Sequence, residues 1–196
     1  MIPADPIERF REVYELAGKI DHSILPDASA MALGTVGSDG RPSVRIVLLK
    51  GYDARGFVFY TNYEGRKGRE LLAKPWAALC FHWPTIDTQI RAEGKVAKVS
   101  DDEADSYFST RHRMSQIGAW ASRQSEPLEK PDALDERVRK YEREFEGKDV
   151  PRPAHWSGFR VQAERIEFWK GKPNRLHERH VYTRAGNGWK IETLYP

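Results

Sequence analysis

Near the end of the chain, "RLHERH" sets Arg175, His177 and Arg179 at alternate positions within one short stretch. His177 and His180 are three apart, so the His-Glu-x-x-His spacing that puts two zinc ligands on one helical face is not met. In an extended strand, Arg175, His177 and Arg179 would share one face, and Leu176, Glu178 and His180 the other. A row of Arg, His and Arg repels itself unless an anion lies against it or solvent screens it. Spacing alone leaves both arrangements open.

Three other clusters carry groups suited to anions. In "YEGRKGRE", Arg66 and Lys67 open a short helix directly after a strand ending at Tyr60 and Thr61. The free N–H groups and dipole of a helix N-terminus favour an anion, and two adjacent cations suit a phosphate; a solvated basic turn uses the same residues. In "RIVLLK", Arg45 and Lys50 bracket Ile46, Val47, Leu48 and Leu49. Positions five apart face opposite ways in a flat strand, so both cations reach one ligand only where a bulge or a strand end intervenes. In "YFSTRHRMSQIGAWASRQS", Arg111 follows Tyr107 by one helical turn and Ser115 follows at the helix end. Phenol, guanidinium and hydroxyl would cradle a phosphate, and plain helix-surface packing is the alternative. The chain has no G-x-G-x-x-G after a strand, no Gly-Lys-Ser/Thr phosphate loop, no paired cysteines and no G-x-S-x-G elbow.

The elements that must position these groups follow from periodicity. "ADPIERFREVYELAG" offers Asp5 as N-cap, Pro6 at the first helical position, and Ile7, Phe10, Val13 or Tyr14, and Ala17 at helical spacing, ending near Gly18. "SAMALGTV", "PSVRIVLLK" and "GFVFYTN" are short β-rich runs separated by the turns "GSDGR" and "GYDAR". A short helix in "GRKGRELLAK" stops at Pro75, and "WAALCFHW" and "TQIRAEGKVAKV" supply two more strands. Ser100 with Glu103 makes a capping box for "DDEADSYFST", and Leu134, Val138, Tyr141 and Phe145 form a helical stripe ended by Gly147. After "VPRPAHW", the one candidate hinge, strands return in "GFRVQA", "RIEFWK", "RHVYTR" and "GWKIETL", with "AGNG" turning the last hairpin. Eight or nine short strands with three or four inserted helices fit a small antiparallel barrel with peripheral helices. One domain over 1–196 is expected, with strands 157–196 completing the same barrel.

Bulk composition narrows the partners. Lys+Arg 32 against Asp+Glu 29 leaves +3, a small excess that implies no nucleic-acid surface. The single Cys80 cannot form an internal disulfide and suits a reducing compartment. Without a long apolar run or a charged-then-apolar leader, a cytoplasmic protein with no membrane partner is expected.

In order and spacing, "RIVLLKGYDARGFVFYTNYEGRKGREL", "YFSTRHRMSQIGAWASRQS" and "RIEFWKGKPNRLHERHVYTR" with "GWKIETLYP" resemble the pyridoxine/pyridoxamine 5′-phosphate oxidase family, over Asp5 to Pro196. The resemblance implies a mainly β, antiparallel FMN-binding split β-barrel, working as a homodimer with FMN at the subunit interface. It implies FMN contacts from Arg45, Ile46, Val47, Leu48, Leu49 and Lys50, from Tyr60 and Thr61, and from Arg66 and Lys67 at the phosphate end. Gln89, Gln124, Ser125, Trp169 and Arg179 complete that implied set. For the substrate it implies Lys50, Tyr107, Arg111 and Ser115 at the phosphate and Arg175, Leu176 and His177 at the ring, with Arg175 and His177 as the catalytic pair. The implied reaction oxidises the 4′ carbon of pyridoxine or pyridoxamine 5′-phosphate to give pyridoxal 5′-phosphate, with dioxygen becoming hydrogen peroxide and no metal involved. The alternatives on the same fold are an oxidase of another aromatic metabolite, of phenazine type, and a non-catalytic flavin or pyridoxal-phosphate carrier. The chain departs from the family pattern at Gly65, often Ser, at Thr88, often Arg, and in "HERH", usually His-Asp-Arg-Phe. It also begins just before the first helix, so no basic N-terminal arm is expected over the substrate.

Overall fold

Apolar side chains at every second position let most strands bury one face, and one antiparallel sheet collects them all. The computed structural model describes residues 2–196. In order these are α1 (Pro6–Gly18), β1 (Ala30–Val36), β2 (Pro42–Leu48), β3 (Gly51–Asp53), β4 (Gly56–Asn62), α2 (Arg66–Ala73) and β5 (Trp76–Trp83). Then follow β6 (Thr88–Lys98), α3 (Asp101–Ser109), α4 (Arg113–Ala121), α5 (Ala133–Glu144), β7 (Trp156–Lys170), β8 (Glu178–Ala185) and β9 (Gly188–Leu194). The strand order is β2-β1-β5-β6-β7-β4-β3, with β8 also paired to β7 and β9 beyond it.

β7 is the spine. Its first residues pair with β4, its last with β8, and β6 runs beside most of its length. The register with β6 shifts between Glu93 and Gly94, an irregularity of the kind that bends a strand and helps the sheet curl. At that point a Cβ on Gly94 would lie 2.0 Å from the Gln162 carbonyl oxygen, so only glycine fits.

Two apolar clusters matter for the site. In the barrel core, Phe10 of α1 meets the rings of Tyr52, Phe57 and Phe81 at 4.9, 4.9 and 5.1 Å. Burying a side chain of this size contributes about 1.5–3 kcal/mol, which anchors α1 on the sheet. A second cluster of Phe108, Ile117, Phe145, Val150 and Trp156 ties α3, α4 and the end of α5 to the head of β7.

Local signals explain most boundaries. Asp5 caps α1, its Oδ1 accepting from the Ile7 N–H at 2.8 Å, and Ser100 caps α3 by accepting from the Glu103 N–H at 3.2 Å. The expected capping box is only half formed, because the Glu103 carboxylate goes to Arg160 instead. Five α-helices form rather than three or four: α3 stops at Ser109, and His112 caps a separate α4 by accepting from the Met114 N–H. Ser115 therefore lies in the first turn of α4, not at the end of the helix that carries Tyr107. In α5, Phe145 is buried and Val138 and Tyr141 half-buried, but Leu134 is exposed. The strand expected at "RHVYTR" forms as β8 from Glu178, but the extended arrangement considered for "RLHERH" does not reach Arg175: Pro173–Arg175 form a short 3-10 turn in which Asn174 and Arg175 take φ of 57° and 61°. Pro173 cannot donate a ladder hydrogen bond, which works against strand in this stretch. Among the described residues no helix is long and apolar enough to cross a membrane.

Candidate active site

At the head of β7 a cavity of about 310 Å³ is lined by Ile46, Val47, Leu48, Lys50, Tyr60, Thr61, Lys67, Tyr107, Arg111, Gln124 and Trp156. It draws on the end of β2, on β4, α2, α3 and the loop after α4. β2 ends at Leu48, and the Lys50 N–H then donates to the Val58 carbonyl oxygen at 2.8 Å. Lys50 lies two and four positions from Leu48 and Ile46, so strand alternation brings all three to one cavity. Leu49 instead enters the barrel core, and Arg45 turns away, donating to Thr35, to Ser43 at 2.5 Å, to the Leu33 carbonyl oxygen at 3.2 Å and to Glu70 at 3.1 Å. A second cavity of about 260 Å³ adjoins the first, sharing Arg111, Gln124 and Trp156 and adding Ser115.

The start of α2 forms a cationic corner. Gly65, its N-cap, offers no side-chain acceptor, so the first N–H groups of the helix are uncapped by it. Lys67 Nζ donates to Thr61 Oγ1 at 3.1 Å and to Gln124 Oε1 at 2.8 Å. Burial and then the nearby Arg45 push the Lys67 ammonium down from its ordinary value. Arg66 donates through its backbone N–H to Ser125 Oγ at 3.1 Å and through Nε to Glu70 at 2.9 Å. Ser125 has φ of 72°, a left-handed turn that favours glycine. Burial would raise the Glu70 carboxyl, but hydrogen bonds from Ser43, Thr35, Arg66 and Arg45 outweigh it and bring it to about 2. A Cβ at Gly65 would lie 2.5 Å from Gln124 Oε1, so a serine there would displace the amide that Lys67 holds.

Beside this corner, Tyr60, Tyr107 and Trp156 stack. Tyr60 lies 4.0 Å from Tyr107 and 5.4 Å from Trp156, with rings inclined by 12° and 6°. Burial, then Glu103 and Tyr107, push the Tyr60 phenol up to about 12 against the opposing Arg160, so it stays protonated at neutral pH. The Arg111 guanidinium lies 4.5 Å from the Trp156 ring centre, and its Nη1 is buried without a hydrogen-bond partner. Burial pushes Arg111 down from its ordinary value. Buried polar groups are nearly always paired, so an orphan guanidinium N–H in a cavity marks a place for an acceptor. Arg160 of β7, itself buried, fixes α3 behind the stack by donating to Glu103 at 2.7 Å and to Asp53 at 3.0 Å.

The remaining residues of the implied site lie elsewhere. Gln89, Trp169 and Arg179 are cross-strand neighbours on β6, β7 and β8. The His177 ring is 4.6 Å from Trp169, and its Nδ1 accepts from the Lys172 N–H at 3.2 Å. Arg179 donates to buried Glu167 at 2.9 Å and to the Tyr195 carbonyl oxygen at 3.1 Å. Arg175 and Leu176 are exposed. Trp156 and Trp169 sit thirteen positions apart on β7, about 40 Å of strand path at about 3.3 Å per residue. The cavity at the head of β7 contains no residue of this second group.

A family model for pyridoxamine 5′-phosphate oxidase matches residues 21–170, and one for the pyridoxine 5′-phosphate oxidase C-terminal dimerisation region matches 156–196. The chain belongs to the pyridoxamine 5′-phosphate oxidase family. A pyridoxine/pyridoxamine 5′-phosphate oxidase of Myxococcus xanthus (strain DK1622) is 57% identical over 196 residues, covering 100% of this chain and 94% of that protein. One of Rubrobacter xylanophilus is 53% identical over 192 residues, covering 98% and 87%. Among solved structures, PhzG from Burkholderia lata 383, in complex with tetrahydrophenazine-1-carboxylic acid, superposes with a TM-score of 0.89 at 31% identity, covering 99% of this chain and 94% of that one. An FMN-binding, pyridoxamine 5′-phosphate oxidase-related protein of Nostoc punctiforme shares the fold, with a TM-score of 0.76 at 15% identity and complete coverage of both chains.

Membership in this oxidase family gives meaning to residues that the sequence motifs passed over. Trp156 falls in "VPRPAHW", a stretch that looks like a hinge, yet it lines both cavities. Asn62 lines the second cavity, one position beyond the Tyr60 and Thr61 that the motifs pick out. Glu70, one helical turn after Arg66, organises the cationic corner; the Arg66–Glu70 spacing was the available signal.

Proposed function

We propose that this chain is an FMN-dependent oxidase that converts pyridoxine 5′-phosphate and pyridoxamine 5′-phosphate to pyridoxal 5′-phosphate. The observation that carries the reading is the orphan N–H of Arg111 in a cavity with Lys50 and Tyr107, a receptor for the substrate phosphate. Ser115 adds a hydroxyl from the adjoining cavity. The start of α2, with no side-chain cap from Gly65 and with Arg66 and Lys67 beside it, suits the phosphate of FMN. FMN, when bound, supplies the two-electron acceptor, and dioxygen regenerates it with release of hydrogen peroxide.

In this reading the apolar side chains of Ile46, Val47 and Leu48 give a flat ring its wall. Lys67 and Arg66 would hold the phosphate end of the cofactor by charge and hydrogen bonds. Arg175 and His177 would hold the substrate ring so that its 4′ carbon faces the flavin, and would handle the substrate's proton. Because they and Trp169 lie at the far end of β7, the proposed site joins the head of β7 from one subunit to the Trp169 end from its partner. The family's dimerisation region, residues 156–196, runs from the head of β7 through the Trp169 end to the C-terminus. A reducing cytoplasmic setting suits the lone Cys80, whose half-buried thiol is pushed up by burial.

The experiment is a visible spectrum of purified protein with FMN, before and after anaerobic pyridoxamine 5′-phosphate. Bleaching of the flavin band, with peroxide released on admitting air, is expected. A flavin band that stays unchanged at saturating substrate contradicts the reading. Oxidation of a tetrahydrophenazine carboxylic acid, with none of the vitamin phosphates, would favour the phenazine-type alternative.

A further inference from the structure

We propose that Trp156 is a positioning residue that makes Arg111 a receptor for the substrate phosphate, by orienting its guanidinium without neutralising it. The inference rests on the reading above, in which Arg111 meets that phosphate. Most of the chain's other sheltered arginines are held by carboxylates, and Arg9 and Arg137, which are not, spend their donors on Tyr182 and His180 and on the Ala121 and Trp120 carbonyl oxygens. Arg160 is paired with Asp53 and Glu103, Arg152 with Asp101 and Asp105, Arg45 with Glu70, and Arg179 with Glu167. In each case a carboxylate fixes the guanidinium and cancels its charge, which is how a structural arginine is normally kept.

Arg111 is different. Among the described residues it makes no ion pair with a carboxylate, and the groups against it are two aromatic faces, Trp156 at 4.5 Å and Phe108 at 5.5 Å. An aromatic quadrupole attracts a cation over its face and leaves the N–H groups at the guanidinium edge unused. The buried, unpartnered Nη1 is the outcome of that arrangement. A carboxylate in place of the indole would compete with the incoming dianion for the same donors. The indole does not compete.

Trp156 is itself held on all sides. Its backbone N–H donates to the Pro153 carbonyl oxygen at 2.9 Å, and its backbone carbonyl oxygen accepts from Arg152 at 3.0 Å. Tyr60 and Tyr107 stack near-parallel on the indole, and Phe108 meets it edge-on at 5.0 Å. The shelf under Arg111 is therefore rigid, and its position on β7 ties phosphate recognition to the sheet rather than to the loop that carries Arg111.

The test uses FMN-loaded enzyme carrying Trp156→Leu or Trp156→Phe, each also combined with Arg111→Ala. The readouts are KM and kcat for pyridoxamine 5′-phosphate, the inhibition constant for inorganic phosphate, and flavin content. Trp156→Leu is expected to raise KM and the phosphate inhibition constant together, by about tenfold, with kcat and flavin content held. Trp156→Phe, which keeps a ring with a weaker quadrupole, is expected to show a smaller rise and serves if the leucine variant loses flavin. In the Arg111→Ala background neither change should raise KM or the phosphate constant further. Full additivity with Arg111→Ala, or a loss confined to kcat, overturns the role of Trp156 alone. If Arg111→Ala itself leaves both constants unchanged, the phosphate reading of the cavity falls, and this inference with it.

Discussion

The two ends of β7 hold their cations in contrasting ways. At the Trp156 end, Lys67 is bonded to Thr61 and Gln124, Arg66 to Glu70, and Arg111 is pressed on an indole. At the Trp169 end, Arg179 is fixed by Glu167, but Arg175 stands exposed in a turn where two consecutive non-glycine residues have positive φ. A left-handed conformation costs an L-residue about 1–2 kcal/mol, so the Arg175 turn is held against its local preference. In the proposed reading the first end is a receptor built within one chain, and the second presents its residues outward. Strain of this kind clusters at functional sites, which agrees with the role proposed for Arg175.

The largest effect expected from perturbing this contrast is at the exposed end. Arg175→Ala should lower turnover by at least about a hundredfold, while FMN affinity, read by fluorescence quenching, stays within about threefold. Equal losses in both would put Arg175 in cofactor binding instead. At the Trp156 end, Arg111→Ala should act on KM for pyridoxamine 5′-phosphate, raising it roughly ten- to hundredfold, the equivalent of a charge-assisted contact of about 1.5–3 kcal/mol. An unchanged KM would place the phosphate elsewhere.

Glu70→Gln sharpens the claim that the Trp156 end is preorganised. The Glu70 carboxyl is depressed from 4.5 to about 2, so its contribution to stability is complete above about pH 4.5 and is lost as pH falls towards 2. Wild type should lose stability through that window in denaturant titrations, and the variant should lack that part of the slope. Identical slopes would mean that Glu70 does not hold the corner together. The smallest effect is expected at the foot of the exposed turn, where Lys172 and Glu178 form an exposed ion pair at 3.0 Å. Glu178→Gln should move Tm by no more than about 1 °C, and a clear drop would show that the turn is tied down there.

How far the sequence reveals this arrangement depends on whether the signal is local. The Asp5–Pro6 start of α1, the capping role of Ser100 and the hairpin strands are written in adjacent residues, and all form. The break between α3 and α4 is not, since no glycine or proline marks Thr110–His112 and the cap is a histidine. "RLHERH" alternates like a strand, yet Pro173 and Asn174 just upstream carry the chain through a turn until Glu178. Family motifs single out Arg45 to Lys50 as a run, but the strand pleat divides it between cavity, core and the Glu70 cluster. Trp156 acts through tertiary contacts, so nothing in its immediate neighbours reveals the role, and at Glu70 only the spacing from Arg66 does.

The central claim is that each working site takes the head of β7 from one subunit and the Trp169 end from the other, and mixed dimers test it most directly. Chains carrying Lys50→Ala with Arg111→Ala are refolded together with chains carrying Arg175→Ala, and activity is measured at substrate well below KM. If the two ends come from different subunits, random pairing restores about a quarter of the wild-type sites, because half the dimers are mixed and each holds one intact site. Activity no higher than the sum of the two separate variants would contradict the account and place both ends of the site within a single chain.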